Sequence, residues 1–150
     1  LLLDEDLQTS YVSPGPSLPT LPDFVTHPRS MVGTDALLIG DYPSPRTYGT
    51  YPTILADYVR EEGSMTLAEA VRKMTSFAAA RLGIPDRGIL RDGMKADVVV
   101  FNPDTVEAKA TFEDPKQYPV GIDYVIVNGK LVIDNGTHTG ALPGRALKSQ

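Results

Sequence analysis

The stretch Met31-Val32-Gly33-Thr34-Asp35, led in by His27-Pro28-Arg29-Ser30, is a short apolar run that ends in polar residues. A buried strand opening into a functional turn has this form. One strand cannot make a sheet. Its place ahead of a helical stretch therefore predicts the last strand and helices of a larger α/β structure, a (β/α)8 TIM-type barrel whose other strands lie upstream of Leu1. On that reading Asp35 stands at the C-terminal end of a barrel strand, where side chains point into the mouth that forms active sites. Without context, an Asp after a short strand is more often a turn or helix-cap residue.

Downstream, Tyr51, Ile54, Leu55, Tyr58 and Val59 recur at helical spacing, with Pro52 where a first turn tolerates it. Thr66 and Glu69 have the spacing of a capping box, and Leu67, Ala70, Val71 and Met74 form an apolar stripe behind them. Thr75-Ser76 can cap a third helix from Phe77 to Leu82, stopped by Gly83 and Pro85. Arg60-Glu61-Glu62 and Arg72-Lys73 read as wet helix faces, and the four methionines as packing residues. After Gly83 the pattern turns β-branched: Ala96 to Phe101, then Tyr124 to Val127, which stops at Asn128-Gly129 ahead of Lys130-Leu131-Val132-Ile133. That Asn-Gly between two apolar runs is a strong hairpin signal. The tail from Thr137 reads as turns, with His138 solvated.

Upstream, Ser10 to Pro22 carries four prolines and no apolar period, which predicts an extended loop. The chain starts Leu1-Leu2-Leu3-Asp4-Glu5-Asp6, without the basic start of a signal peptide, and reads as a fragment already under way. The division expected is residues 1–26 irregular, 27–87 barrel strand and helices, and 88–150 the strands and tail of a second unit.

Composition narrows the partners. The 150 residues carry a net charge of −5 with no basic cluster, which argues against nucleic acid. No apolar run approaches a membrane span, so a soluble, cytoplasmic protein is expected. With no cysteine and only His27 and His138, the chain holds too few soft or imidazole donors for a complete zinc site. His27 precedes the strand at the end opposite Asp35 and is not expected to bind metal.

From Asp41 to Pro52 the chain runs Asp-Tyr-Pro-Ser-Pro-Arg-Thr-Tyr-Gly-Thr-Tyr-Pro. With Gly33-Thr34-Asp35 before it, this resembles the D-aminoacylase (N-acyl-D-amino-acid deacylase) branch of the metal-dependent amidohydrolases. The resemblance continues through Tyr58 to Glu62, Ala70 to Ser76, Arg81-Leu82-Gly83, Asp86-Arg87-Gly88, Gly93 to Phe101 and Tyr124 to Gly129, covering residues 27 to 147 or so. It implies a barrel flanked by a small β-sandwich, to which residues from about Gly88 to Asp134 contribute. In that arrangement Val98 to Phe101 and Tyr124 to Val127 are left with open edges in this chain.

The resemblance further implies zinc-dependent hydrolysis of the amide of an N-acyl-D-amino acid, a small-molecule substrate. Asp35 falls on the carboxylate that takes a proton from the metal-activated water and returns it to the leaving amine. Amide hydrolysis needs both a base and an acid, and one carboxylate can serve as each in turn. Arg46 falls on the residue that holds the substrate carboxylate, which a guanidinium fork suits; its plainer role is a loop salt bridge. Where relatives often have His-Pro-Arg, this chain has Ser44-Pro45-Arg46. Tyr48 and Gly49 are expected to shape the loop, Gly49 through its conformational freedom. The zinc ligands are expected upstream, and this chain alone is expected to be inactive. A cyclic-amide hydrolase of the same superfamily, or a non-catalytic scaffold, are the competing readings.

Overall fold

In a computed structural model, which describes residues 19–38 and 40–147, helices come first and a four-stranded antiparallel sheet follows. Most of the proline-rich loop lies outside the described residues. Its last part is not irregular: Leu21–Thr26 forms a short helix, α1, with Pro22 in the first turn, where its missing N–H costs nothing.

The stretch 31–38 is extended but pairs with no strand among the described residues. Met31 is exposed, Val32 packs on the core, and the Val32 amide donates to the Lys73 carbonyl at 3.4 Å.

The helix expected from Tyr51 begins earlier, as α2 (Arg46–Thr53), so Pro52 sits near its end rather than at its start. Proline inside a helix removes a donor and crowds the carbonyl one turn back. Immediately after it the backbone widens into a π-helical stretch, Ile54–Glu61, ended by Glu62 N–H donating five residues back to Asp57 at 2.8 Å. This stretch buries Ile54, Leu55, Ala56 and Tyr58.

Helix α3 (Leu67–Met74) has half of its capping box. The Thr66 hydroxyl accepts from the Glu69 amide at 3.2 Å, while the Glu69 carboxylate turns to Arg72 instead. Ala70 is fully buried and Met74 packs on the core, but Leu67 and Val71 stay exposed. The wet face read at Arg72-Lys73 is wrong for Lys73, which has no exposed surface. The turn 27–30, from far upstream, lies over it. Helix α4 (Ser76–Arg81) follows; Thr75 directs its hydroxyl back to the Val71 carbonyl at 2.6 Å rather than capping it. Its end is a Schellman closure: Gly83, at φ 68, donates to Ala80, and Ile84 to Ala79.

The sheet runs β1 (Val98–Phe101), β2 (Ile122–Val127), β3 (Lys130–Asp134), β4 (Thr137–His138), each pairing with the next. Asn128 and Gly129 both have positive φ, as the primed two-residue hairpin requires. Asn135-Gly136 repeats the turn and makes β4, so His138 is on a strand, not in a turn. The open edge expected on Tyr124 to Val127 is also corrected: that strand lies between β1 and β3.

The core is Ile54, Leu55, Tyr58, Met65, Ala70 and Val106, with Phe101 and Ile122 partly buried against it. Val106 comes from the long connection between β1 and β2 yet is fully buried among the helices. Arg60 ties the same connection down, donating to the carbonyls of Val106 at 2.7 Å and Pro103 at 3.2 Å. It is a tether rather than only a wet face.

Candidate active site

Asp35 has φ 47, a left-handed conformation that costs a non-glycine residue about 1 kcal/mol. The only other non-glycine residues so placed among the described ones are the two hairpin asparagines. The neighbouring Thr34 hydroxyl accepts from the Ala36 amide at 3.2 Å and closes a tight local turn. The Asp35 side chain projects outward, 86% exposed.

Arg46, at the start of α2, reaches back across the loop to that residue and grips it twice. Nη2 donates to the Asp35 carboxylate at 2.9 Å, and Nε to the Asp35 carbonyl at 3.1 Å. Nη1 has no partner among the described residues. The two residues singled out in the sequence are thus brought into direct contact, and the ion pair is solvent-facing. Exposed pairs of this kind contribute about 0.2–1 kcal/mol, so the contact fixes orientation more than it stabilises the fold.

The β1–β2 connection packs along residues 41–49. Tyr48 meets Tyr118 edge to face, with centroids 5.6 Å apart. Lys116 lies 3.7 Å from the Asp41 carboxylate. Gly49 is needed for closeness rather than for unusual torsion angles: a Cβ there would stand 3.3 Å from the Ala108 Cβ. The Thr47 hydroxyl is buried with no partner among the described residues.

His27 and His138 are each occupied locally. The Nδ1 of His27 accepts from the Arg29 amide at 3.2 Å, and that of His138 from the Gly140 amide at 2.9 Å. Among the described residues no three His, Cys, Asp or Glu side chains gather into a set able to hold a metal ion. The residues described do not by themselves fit zinc. Two shallow hollows open between residues 76 and 98, lined by Ile89, Arg91 and Met94 among others, and neither includes Asp35 or Arg46. Among the described residues no helix is long and apolar enough to cross a membrane.

A second polar cluster joins three of the stretches that carry the family resemblance. Arg87, nearly buried, pairs with the Asp97 carboxylate and donates to Asn128 Oδ1 at 2.7 Å. Asp97 also accepts from the Asn128 amide at 2.7 Å, and Asn128 Nδ2 donates to the Pro143 carbonyl at 2.9 Å. Burial raises the Asp97 pKa, but the Asn128 amide and the Arg87 guanidinium outweigh it and hold the carboxyl below its ordinary value. This cluster locks the hairpin to residues 86–97. Its chemistry is structural.

Residues 22–133 match the model of the amidohydrolase family. The N-acyl-D-aspartate deacylase of Alcaligenes xylosoxydans xylosoxydans is 40% identical, over 97% of this chain and 30% of its own length. A crystal structure of D-aminoacylase superposes with a TM-score of 0.79 at 40% identity, over 82% of this chain and 26% of that one. The N-acyl-D-glutamate deacylase of Bordetella bronchiseptica, solved with zinc and a phosphonate mimic of the tetrahedral intermediate, gives 0.74 at 44% identity, over 76% and 24%. The chain spans between 24% and 30% of the length of these relatives.

Proposed function

The chain belongs to the amidohydrolase family, and from that premise we propose that the whole protein hydrolyses the amide bond of N-acyl-D-amino acids, releasing a carboxylate and a D-amino acid. The observation that carries this reading is the contact between Asp35 and Arg46, a proton-accepting group and a carboxylate-binding group held 2.9 Å apart where the exposed backbone takes a left-handed conformation. Asp35 takes a proton from the attacking water and returns it to the amide nitrogen as the C–N bond breaks, so one carboxyl group serves as base and then as acid. Arg46 holds the α-carboxylate of the substrate. Its free Nη1 can take one carboxylate oxygen without releasing Asp35, and exchange at Nη2 accommodates the second.

The fuller architecture belongs to the same proposal. Residues 27–87 supply the last strand, at 31–35, and the helices of a (β/α)8 barrel, and residues 88–150 supply strands of a flanking β-sandwich. The zinc is held by groups other than the described residues, and the 150 residues by themselves are inactive. The names of the relatives at 40% identity or more, which span aspartate, glutamate and general D-aminoacyl substrates, support linear over cyclic amides, the reaction of a dihydroorotase that is 25% identical.

Asp35→Asn in the full-length deacylase is the test. Turnover of N-acetyl-D-amino acids is expected to fall below about a tenth of wild type, in line with loss of general acid–base catalysis, with bound zinc unchanged. Retention of more than that activity, or a preference for hydantoins and dihydropyrimidines in a parallel assay, overturns the proposal.

A further inference from the structure

Lys73 is the one charged side chain that is fully buried among the described residues. Its ammonium donates to the His27 carbonyl, to the Ser30 hydroxyl at 2.8 Å and to the Ser30 carbonyl at 3.2 Å. An ammonium has three donors, and all three are used on neutral oxygens. Among the described residues no carboxylate pairs with it. Glu69, one turn earlier on α3, makes a two-bond pair with Arg72, at 2.7 and 2.8 Å. Burial therefore pulls the Lys73 pKa down, with Glu69 opposing and Arg72 adding to it. An apolar side chain would fill this space without the cost of dehydrating a cation. What the ammonium does that a methylene chain cannot is gather oxygens.

The oxygens it gathers belong to the turn that feeds the Asp35 segment. His27 ends α1, Ser30 precedes Met31, and the Ser30 amide donates to the His27 carbonyl at 3.0 Å. The carbonyl of Lys73 accepts from the Val32 amide, and Arg72 Nη2 donates to the Pro28 carbonyl at 3.2 Å. Two adjacent residues of α3 thus fasten 27–32. The next fastening downstream is Arg46 on Asp35 itself, with only Gly33 and Thr34 between. We propose that Lys73 is a positioning residue for Asp35, its ammonium pinning the His27–Ser30 turn to the end of α3 and so setting where the following segment presents its carboxylate. The proposal rests on the reading of Asp35 as the proton-transferring group.

The test pairs an exchange measurement with kinetics in the full-length deacylase. Lys73→Met keeps the volume and removes the donors. Hydrogen exchange of peptides covering 27–35 is expected to quicken by roughly tenfold or more, as for a locally opened segment, while the β2–β3 hairpin is unchanged. Unaltered exchange at 27–35 overturns the proposal. The kcat is expected to fall by at least about tenfold with KM within about twofold, as misplacement of a catalytic group does, and Lys73→Arg is expected to restore part of it. A folded Lys73→Met protein with kcat within about twofold of wild type overturns the proposal too.

Asp35→Asn run alongside separates the two readings. If Asp35→Asn stays active, the reading of Asp35 fails whatever Lys73 does. If Asp35→Asn is inactive while Lys73→Met is fully active, only the role of Lys73 fails. Should Lys73→Met not fold, Ser30→Ala removes a single acceptor. It is expected to lower kcat by about two- to fivefold and to speed exchange at 27–32. No change in either measurement overturns the proposal.

Discussion

The helical half and the sheet are held by different forces. Between Arg46 and Met74 the chain buries Ile54, Leu55, Ala56, Tyr58, Met65 and Ala70, and its order follows from apolar contact. The four strands bury no side chain completely; Val99 is 53% exposed and Val100 46%. Their order comes from two Asn-Gly turns and from the cluster of Arg87, Asp97 and Asn128. A β-sheet with apolar residues on both faces needs a covering layer. Here turn geometry and charge hold the register where burial does not.

The sharpest way to break this contrast lies where the halves meet. Gly121, at φ 75, leaves no room for a side chain: a Cβ would fall 2.5 Å from the Val106 nitrogen. Gly121→Ala is expected to cost about 3–4 kcal/mol from torsional strain and overpacking, read as a loss of the cooperative transition in urea by circular dichroism. Next comes Ile54→Ala, a cavity in the helical core, with an expected loss of about 2–4 kcal/mol in the same titration.

Within the sheet, Asp97→Asn is expected to cost about 1–2 kcal/mol at neutral pH by weakening a partly exposed charged hydrogen-bond cluster. The sign of its pH dependence follows from the lowered pKa. The ionised Asp97 contributes stability at pH above the unfolded pKa, and that contribution is lost as pH falls through the lower folded pKa. Wild type and Asp97→Asn should therefore converge in acid; a gap that persists at low pH would show that shape, not charge, is at stake. Smallest is Val99→Ala on the exposed face, expected to change stability by about 0.5 kcal/mol or less. A loss as large as that of Ile54→Ala would mean that the sheet is covered after all.

What could be read in advance was local. The stop at Gly83 and the hairpin at Asn128-Gly129 each depend on a few neighbouring residues and form as expected, and at Thr66 the hydroxyl half of the capping box forms while Glu69 turns to Arg72. Asn135-Gly136 carries the same signal, but the strand it opens is only two residues long, too short to show an alternating pattern. Proline favours a helix start, yet at Pro52 the residues Arg46 to Thr50 already form the helix ahead of it. Lys73 and Val106 could not be found by pattern. The first looks like an outer-face lysine until the turn 27–30 lies over it, and the second is a lone valine in a connection without periodicity. Resemblance points to Asp35 and Arg46, but the left-handed conformation at Asp35 and the contact between the two are properties of the folded loop.

The composition change near Gly88 invites a cut there, as if the strands were an interchangeable module. Val106 argues against that seam. It is a plug from the strand-bearing half seated at zero exposure in the helical core. A piece ending at residue 88 would have a hole in its centre, and one beginning there would carry an apolar plug with no socket. Any recombination that transplants the sheet must therefore carry a matching socket with it, and surviving crossovers should fall upstream of Arg46 or beyond Val106 rather than at the boundary the composition suggests.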